Sequence, residues 1–395
     1  MIFMNGLFSK TNNKEFKEIV QKISKRLNLN PNDLEKGFER KIITKYEYND
    51  KKYLCFKKKL RHIERGTIVF LNDNFDYFCG YPKIKRAMML KASLDKYFDK
   101  KIAIEEKLDG YNIRIIKFED EILAVTRGGK ICPFTTKKVK KYLKTTFLDD
   151  YPNLMLCGEM IGLNNPYVNQ YYIEAEKDYE NLGFYIFDIR ERETNIPYSI
   201  SKKEELFKKY EIPHVKPIII DKKDISKLWE ILNTLNENKK EGVILKDPEM
   251  LMEPLKYTTQ HTQCNDLSIA FKYTYDIGID FMFSRIVREG YQSFEMSESK
   301  EEELNRAEKL GKSIFLPMIQ TIKDVSEGIT SKECFELFFE SEPDFLEFMN
   351  YLKKMHVPII IESKEIMGKI IKVRICRIYN ATTDKIKSHL EGNLW

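Results

Sequence analysis

Lys107-Leu-Asp-Gly-Tyr-Asn is the stretch of this chain whose residue types could do chemistry. An alternating apolar run, Lys101-Ile-Ala-Ile-Glu-Glu, precedes it, and a second, Ile113-Arg-Ile-Ile, follows. A lysine at a strand end, one spacer before Asp-Gly, puts an amine in a cleft beside a tight turn. Such an amine is a candidate nucleophile. It must be uncharged to attack, and nearby positive charge with partial desolvation favours that form. Alone, Lys-x-Asp-Gly is a weak signal, because Asp-Gly is a favoured turn of exposed hairpins.

Five segments downstream give it weight. They are Thr126-Arg-Gly-Gly, Leu156-Cys-Gly-Glu-Met, Phe184-Tyr-Ile-Phe-Asp-Ile-Arg, Glu241-Gly-Val-Ile-Leu-Lys and Leu255-Lys-Tyr-Thr-Thr. Each sets a polar residue at the end of an apolar strand, where a sheet can line a pocket with charge without burying it unpaired. Together they compose a nucleotide site. An amine attacking the α-phosphate of a nucleoside triphosphate meets a phosphorus shielded by negative oxygens, which metal ions and cations must neutralise. Glu159 and Glu241 can bind the metal or the ribose hydroxyls, and Lys246 and Lys256 can hold the α-phosphate. Phe187, or else Phe184, can stack on the base. The odd spacing of these two rings puts them on opposite sides of a strand, so one of them is core. Gly158, just before Glu159, implies a close approach to the backbone.

With these residues the chain resembles the covalent nucleotidyltransferase superfamily of ATP-dependent ligases and RNA capping enzymes. KLDGYN is similar to motif I, and the five segments are similar to motifs Ia, III, IIIa, IV and V, in order, over residues 66–260. Within the superfamily the chain is most similar to the archaeal homodimeric, circularising-type ATP-dependent RNA ligases. That likeness rests on Tyr81-Pro-Lys-Ile, on the KLDGYN form of motif I, and on Leu255-Lys-Tyr-Thr-Thr followed by Phe271-Lys-Tyr-Thr-Tyr-Asp-Ile-Gly. It implies an α+β fold: a nucleotidyltransferase core (the ATP-grasp-like adenylation fold of ligases) of mostly antiparallel sheets with flanking helices. The implied domains are an N-terminal one (1–65), the adenylation domain (66–260), a helical dimerisation domain (261–326) and a C-terminal domain (327–395).

The resemblance also implies roles. Lys107 is similar to the adenylated lysine, Glu105 to the adenine-amine contact, and Asp109 to a residue beside the lysine and ribose. Asn112 would face the phosphates or the RNA end, and Arg127 the ribose. Glu159 and Glu241 match the metal-binding acids, Phe187 the stacking aromatic, and Lys256 the phosphate contact with Lys246 as helper. ATP would be the AMP donor and Mg²⁺ or Mn²⁺ the metal. The partners would be RNA with 5′-phosphate and 3′-hydroxyl ends, circularised or joined, and a second copy of the chain. Two departures stand out: Asn112 replaces an arginine common in ligases, and Pro254 stands where motif V usually carries a second lysine. A DNA ligase, a GTP-using capping enzyme and a non-catalytic nucleic-acid-binding relative are the competing readings.

The surrounding elements must position these groups. Lys14–Leu29 reads as an amphipathic helix through Phe16, Ile19, Val20, Ile23 and Leu27. Strand-like runs at Tyr46–Phe56 and Thr67–Leu71 follow, then a basic turn carrying Lys83, Lys85 and Arg86, the candidate RNA contacts. Residues 66–260 are strand-rich with interleaved helices but no regular β–α alternation, which argues against a doubly wound parallel sheet. Lys137-Lys-Val-Lys-Lys reads as a solvated helix face with some claim to RNA. Ser299–Val325 reads as one long helix with Ile314, Phe315, Met318 and Ile322 on one side. Cys334–Met355 reads as a helical region broken at Pro343, and a strand pair and a terminal helix close the chain.

Of the 395 residues, 42% are hydrophobic, enough for more than one core. The net charge of +6 suits a polyanionic partner without requiring one. Seven scattered cysteines with no CxxC pair argue for reduced thiols in the cytoplasm, and five histidines lack metal-ligand spacing. No transmembrane stretch or signal peptide is apparent; the apolar start, Met1–Phe8, is short and lacks a basic flank.

Overall fold

The structure, a computed structural model, describes residues 13–394, so the apolar start lies outside it. Helices α1 (Asn13–Leu27) and α2 (Pro31–Glu39) come first. Val20, Ile23 and Leu27 of α1 are buried, with Phe16 and Ile19 packed alongside. Strands β1 (Ile43–Tyr48), β2 (Lys51–Phe56), β3 (Ile68–Phe70) and β4 (Tyr77–Phe78) form an antiparallel sheet in that order. The run 46–56 is therefore a hairpin, turned at Asn49 in the left-handed region. The sheet also continues past residue 65: β3 pairs with β2, and the N-terminal unit reaches Phe78.

The central part carries β5 (Lys85–Arg86), α3 (Leu90–Tyr97), β6 (Lys101–Lys107), β7 (Tyr111–Phe118), β8 (Glu121–Thr126), α4 (Pro133–Tyr142), α5 (Thr146–Asp150), β9 (Leu154–Ile161) and β10 (Gly183–Glu191). It continues through α6 (Ile200–Lys209), β11 (Ile218–Asp221), α7 (Ile225–Glu237), β12 (Gly242–Lys246) and β13 (Leu255–Thr258). These strands make two sheets, ordered β10-β9-β7-β8 and β11-β6-β12-β13-β5. Only the β13–β5 pair is parallel among the described strands.

The pleat sorts each sheet into two faces. Across the five-stranded sheet, Glu105, Ile244, Lys256 and Arg86 are in register, as are Lys107, Gly242 and Thr258. Their alternates, including Ile104, Val243, Leu245 and Leu255, pack under α3 and α7 against Leu90, Leu94 and Leu228. In the four-stranded sheet, Ile113, Ile115, Leu156 and Ile186 face α4, α5 and α6. The opposite face packs Ile116, Phe118, Val125 and Met155 on the N-terminal sheet's Tyr53, Ile68 and Phe70. The fully buried Arg114 fastens that contact by donating to the carbonyls of Gly66 and Cys79.

The region after Thr259 begins with helices α8 (Gln260–Lys272), α9 (Ile279–Met296) and α10 (Lys300–Ser326). A capping box of Ser299 and Glu302 starts α10. Then come β14 (Lys332–Phe339), α11 (Glu342–Lys354), β15 (Ile359–Met367), β16 (Ile370–Ile378) and α12 (Asn380–Leu390), with sheet order β14-β16-β15. Three expectations are corrected here. The helical reading of 334–355 fails in its first part, because Phe335, Leu337 and Phe339 alternate into the core as a strand. Pro343 starts a helix rather than breaking one: it lies in the first turn of α11, which Ser341 caps. The third correction concerns cysteine. Cys334 and Cys376 stand directly opposite on β14 and β16 and are disulfide-bonded, a pairing that linear spacing does not reveal. No helix among the described residues is long and apolar enough to cross a membrane.

Candidate active site

Lys107 ends β6, yet the Leu-Asp-Gly that follows is no hairpin turn. Strands β6 and β7 belong to different sheets, so these residues form the passage between them. The lysine consequently stands at the mouth of a cleft walled by both sheets. Gly110 allows the passage to lie on β9, since a Cβ there would sit 2.6 Å from the Met160 carbonyl oxygen and 2.7 Å from Glu159 Cγ. The Asp109 amide donates to the Tyr172 hydroxyl at 2.7 Å, which holds the turn down.

Glu241 immediately precedes β12, the neighbour of β6, and its carboxylate forms an ion pair with Lys107 Nζ. The intervening Gly242 has φ 144°, and a Cβ on it would lie 2.2 Å from the Tyr257 carbonyl oxygen. Only glycine can deliver Glu241 to this position. Glu159 reaches the cleft from β9, opposite Asn112 on β7, whose buried Oδ1 has no hydrogen-bond partner. The close approach implied by Gly158 is that of the adjacent strand, with the Tyr185 carbonyl oxygen 2.7 Å from where a Cβ would stand.

These groups perturb one another. Burial raises the Glu159 carboxyl to about 8; Lys107 opposes the shift and Glu241 adds to it. Burial, then the Glu241 charge, raises Asp109 to about 7. Burial lowers Lys256 to about 8, helped by the positive charges of Arg86 and Lys107. Arg127 acts on both Glu159 and Lys256. Lys107, Asp109, Asn112, Arg127, Glu159, Glu241 and Lys256 thus share one cleft, brought there from five different places in the chain. Acids held partly protonated by burial and mutual repulsion are suited to a divalent cation. Among the described residues no trio of Asp, Glu, His or Cys in this cleft converges to metal-ligand distances; Cys334, Glu362 and Cys376 do, but both cysteines are in the disulfide. Mg²⁺ commonly uses one or two carboxylates with substrate phosphates and water, so Glu159 and Glu241 fit it without a cage.

Glu105 and Lys246 lie deeper, in a buried charge cluster. Lys246 Nζ donates to Glu105 Oε2 at 2.6 Å, Asp188 Oδ1 at 2.8 Å and the Phe187 carbonyl at 3.0 Å. An ammonium has three donors, and all three are used. Lys246 is thus a buried cation of this cluster, with no donor left over for the phosphate that was expected of it. Lys203 of α6 joins the cluster, bonding Glu105 Oε1 and the Phe187 carbonyl. Against the push of burial, Lys246 and Lys203 hold Asp188 well below the usual carboxylate range. The adenine-amine expectation for Glu105 now competes with two lysines for its oxygens. Sequence reasoning missed Lys203, although its position on the apolar face of α6, between Ile200 and Phe207, was a readable signal.

The aromatic pair is separated by a β-bulge. Phe184 is core, whereas Phe187 is the extra residue on β10 and is half-buried beside the Tyr81 ring and the Lys246 ammonium. The basic turn also divides. Lys83 and Lys85 are exposed, the latter paired with Glu253 at 2.6 Å, whereas Arg86 turns inward and donates to Thr258 Oγ1 at 2.6 Å. The lysines of α4 are largely committed to protein contacts: Lys138 is buried against Glu180, Lys137 pairs with Asp344 and Lys141 with Glu340.

Comparison with known proteins agrees with this geometry. Residues 100–273 match the RNA ligase family model, and residues 269–393 match the family described as the ligase Pab1020 C-terminal region. An uncharacterised protein of Methanocaldococcus jannaschii, MJ0414, is 52% identical over 95% of this chain and 97% of its own length. The solved structure of an archaeal ATP-dependent RNA ligase superposes with a TM-score of 0.89 at 35% identity, covering 95% of this chain and 99% of that one. A protein of Aquifex aeolicus described as a candidate ATP-dependent DNA ligase superposes with a TM-score of 0.85 at 26% identity, over 93% of this chain and all of that one. Near-complete coverage at this identity, with the motif residues gathered in one cleft, makes this chain a member of the archaeal ATP-dependent RNA ligase family.

Proposed function

We propose that the chain joins RNA ends through a lysyl-AMP intermediate, with Lys107 as nucleophile and ATP as AMP donor. The observation that carries this reading is the Lys107–Glu241 ion pair, set in a cleft with Asp109, Glu159 and Lys256, which forms no ion pair among the described residues. In the first step Lys107 Nζ forms a bond to the α-phosphorus and pyrophosphate leaves. In the second, an oxygen of an RNA 5′-phosphate displaces the lysine and takes the AMP. In the third, an RNA 3′-hydroxyl attacks that 5′-phosphorus, and AMP departs as the phosphodiester forms. A divalent cation, Mg²⁺ or Mn²⁺, would be held by Glu159 and Glu241 and would neutralise phosphate oxygens. Lys256 contacts the α-phosphate, Arg127 the ribose, Asn112 the phosphates or RNA end, and Phe187 stacks on the base. Lys83 and Lys85 form part of the RNA footprint. The protein acts in the cytoplasm.

The assembly is a homodimer through the helical block. What supports this is an apolar surface left open on α9 and α10, where Phe283, Phe294, Leu304 and Phe315 are each more than half exposed.

The test is incubation of the full chain with α-labelled ATP, then with 5′-phosphorylated RNA and, separately, DNA. We expect covalent labelling of the protein, its loss in Lys107→Ala, and continued sealing of pre-adenylated RNA by that variant. Retained labelling in Lys107→Ala would remove the nucleophile from this reading. Transfer to DNA in preference to RNA would favour a DNA-joining role, which the Aquifex likeness keeps in view.

A further inference from the structure

A second group of cations stands at the edge of the cleft, where the five-stranded sheet meets the helical block. Arg86 on β5 is the register partner of Lys256 on β13. Arg285 and Arg288 approach it from α9. The three guanidiniums repel: burial and Arg285 lower Arg86 to about 10, and burial with Arg86 lowers Arg288 to about 9. Arg285 is paired with Asp266 at 2.8 Å and lies over the Phe281 ring. Arg86 and Arg288 find only hydroxyl partners among the described residues, Thr258 Oγ1 at 2.6 Å and Ser284 Oγ at 3.4 Å. Between them is a recess closed by the buried side chains of Thr258, Gln263 and Gln292. Half-buried like charges cost the fold stability, and an oxyanion relieves that cost.

We propose that Arg86 and Arg288, beside this recess, contact the pyrophosphate end of ATP, the two phosphates that leave. The inference rests on Lys107 being the nucleophile. As Lys107 Nζ forms its bond to the α-phosphorus, the bond to the bridging oxygen breaks. The electron pair stays with the departing pyrophosphate, and a proton leaves Nζ. Negative charge therefore develops on the leaving group, where planar guanidiniums serve best. Lys256 stands between Lys107 and this recess, which sets α-phosphate and leaving phosphates in order along one line of cations. Because Arg288 belongs to the helical block, the first chemical step depends on that block being seated against the catalytic sheet.

The experiment uses full-length Arg288→Gln and Arg288→Lys, each first matched to the wild type in thermal midpoint. Three activities are measured: labelling across ATP concentrations, release of AMP from the labelled enzyme by added pyrophosphate, and sealing of pre-adenylated RNA. For Arg288→Gln we expect about a 10²-fold fall in kcat/KM for labelling. A parallel loss of pyrophosphate-driven release and partial recovery in Arg288→Lys should accompany it. Sealing involves no pyrophosphate and reports any general damage. Wild-type labelling kinetics with impaired AMP transfer to 5′-phosphorylated RNA would assign these arginines to RNA and overturn the proposal. An equal loss in all three activities would reduce Arg288 to a structural role and overturn it too. If the wild type itself takes no label from ATP, the Lys107 reading falls first and this inference with it.

Discussion

At the scale of single residues, the site holds ionisable groups away from their ordinary ranges, and this has consequences for pH. Asp109 and Glu159, raised to about 7 and about 8, are substantially protonated at pH 6. Covalent labelling should therefore rise as pH increases from 6 to above 8, as the acids ionise and become able to hold a cation. The stability effect has the opposite sense. An acid whose folded value is raised stabilises the fold fully below the ordinary carboxylate range and loses that contribution as pH climbs to about 8. We expect Glu159→Gln to have a higher thermal midpoint than the wild type at pH 8, a smaller difference at pH 5, and no labelling at either. A midpoint difference that does not change with pH would contradict the assigned burial of this carboxyl. Lys256 and Lys246 separate by the same logic. Lys256→Ala should fold normally and lose labelling by about 10²–10³-fold. Lys246→Ala leaves Glu105 and Asp188 short of a partner and should lose about 3–5 kcal/mol in urea denaturation.

At the scale of elements, the site is made by junctions rather than by any one strand. Lys107 and Glu241 sit at adjacent ends of β6 and β12, and Glu159 rises from the other sheet. Two glycines make these junctions possible, Gly110 against β9 and Gly242 against β13. Replacing Gly242 by alanine adds strain at a positive φ and a clash with the Tyr257 carbonyl. The variant should lose more than about 1 kcal/mol of stability. It should also displace Glu241, so that labelling falls further than the stability loss explains. Labelling at wild-type rates in a folded Gly242→Ala protein would show that Glu241 needs no such placement.

At the scale of the whole molecule, the C-terminal unit is joined to the catalytic part by a shared core. Phe335, Leu337, Phe339, Phe345 and Phe348 belong to the same cluster as Ile113, Leu156 and Phe184. Removing everything after residue 260 would strip that cluster open, so deletion is a poor probe of assembly. A surface change is better. Phe294 on α9 is 76% exposed and lies outside every core cluster described. We expect light scattering of the full chain to give twice 47.0 kDa and Phe294→Glu to shift it toward the monomer with its thermal midpoint kept. A wild-type monomer at micromolar concentration would refute the dimer.

The sequence by itself determined the chemistry. A lysine, its Asp-Gly and the ordered polar strand ends specified a nucleotidyl-transfer site, because residue type and local strand pattern are properties of short segments. It also determined strands whose period-two alternation is local: the run Ile113-Arg-Ile-Ile lies within β7. Tertiary structure decided what depends on partners distant in the chain. It made Lys107-Leu-Asp-Gly a passage between sheets where spacing alone reads a hairpin. It turned Lys246 into a buried cation by supplying Glu105 and Asp188, and it divided Arg86 from Lys83 and Lys85. It paired Cys334 with Cys376 and made 332–339 a strand by giving β16 to it as a neighbour. In each case the deciding quantity was burial or a long-range partner, which a window of sequence does not contain.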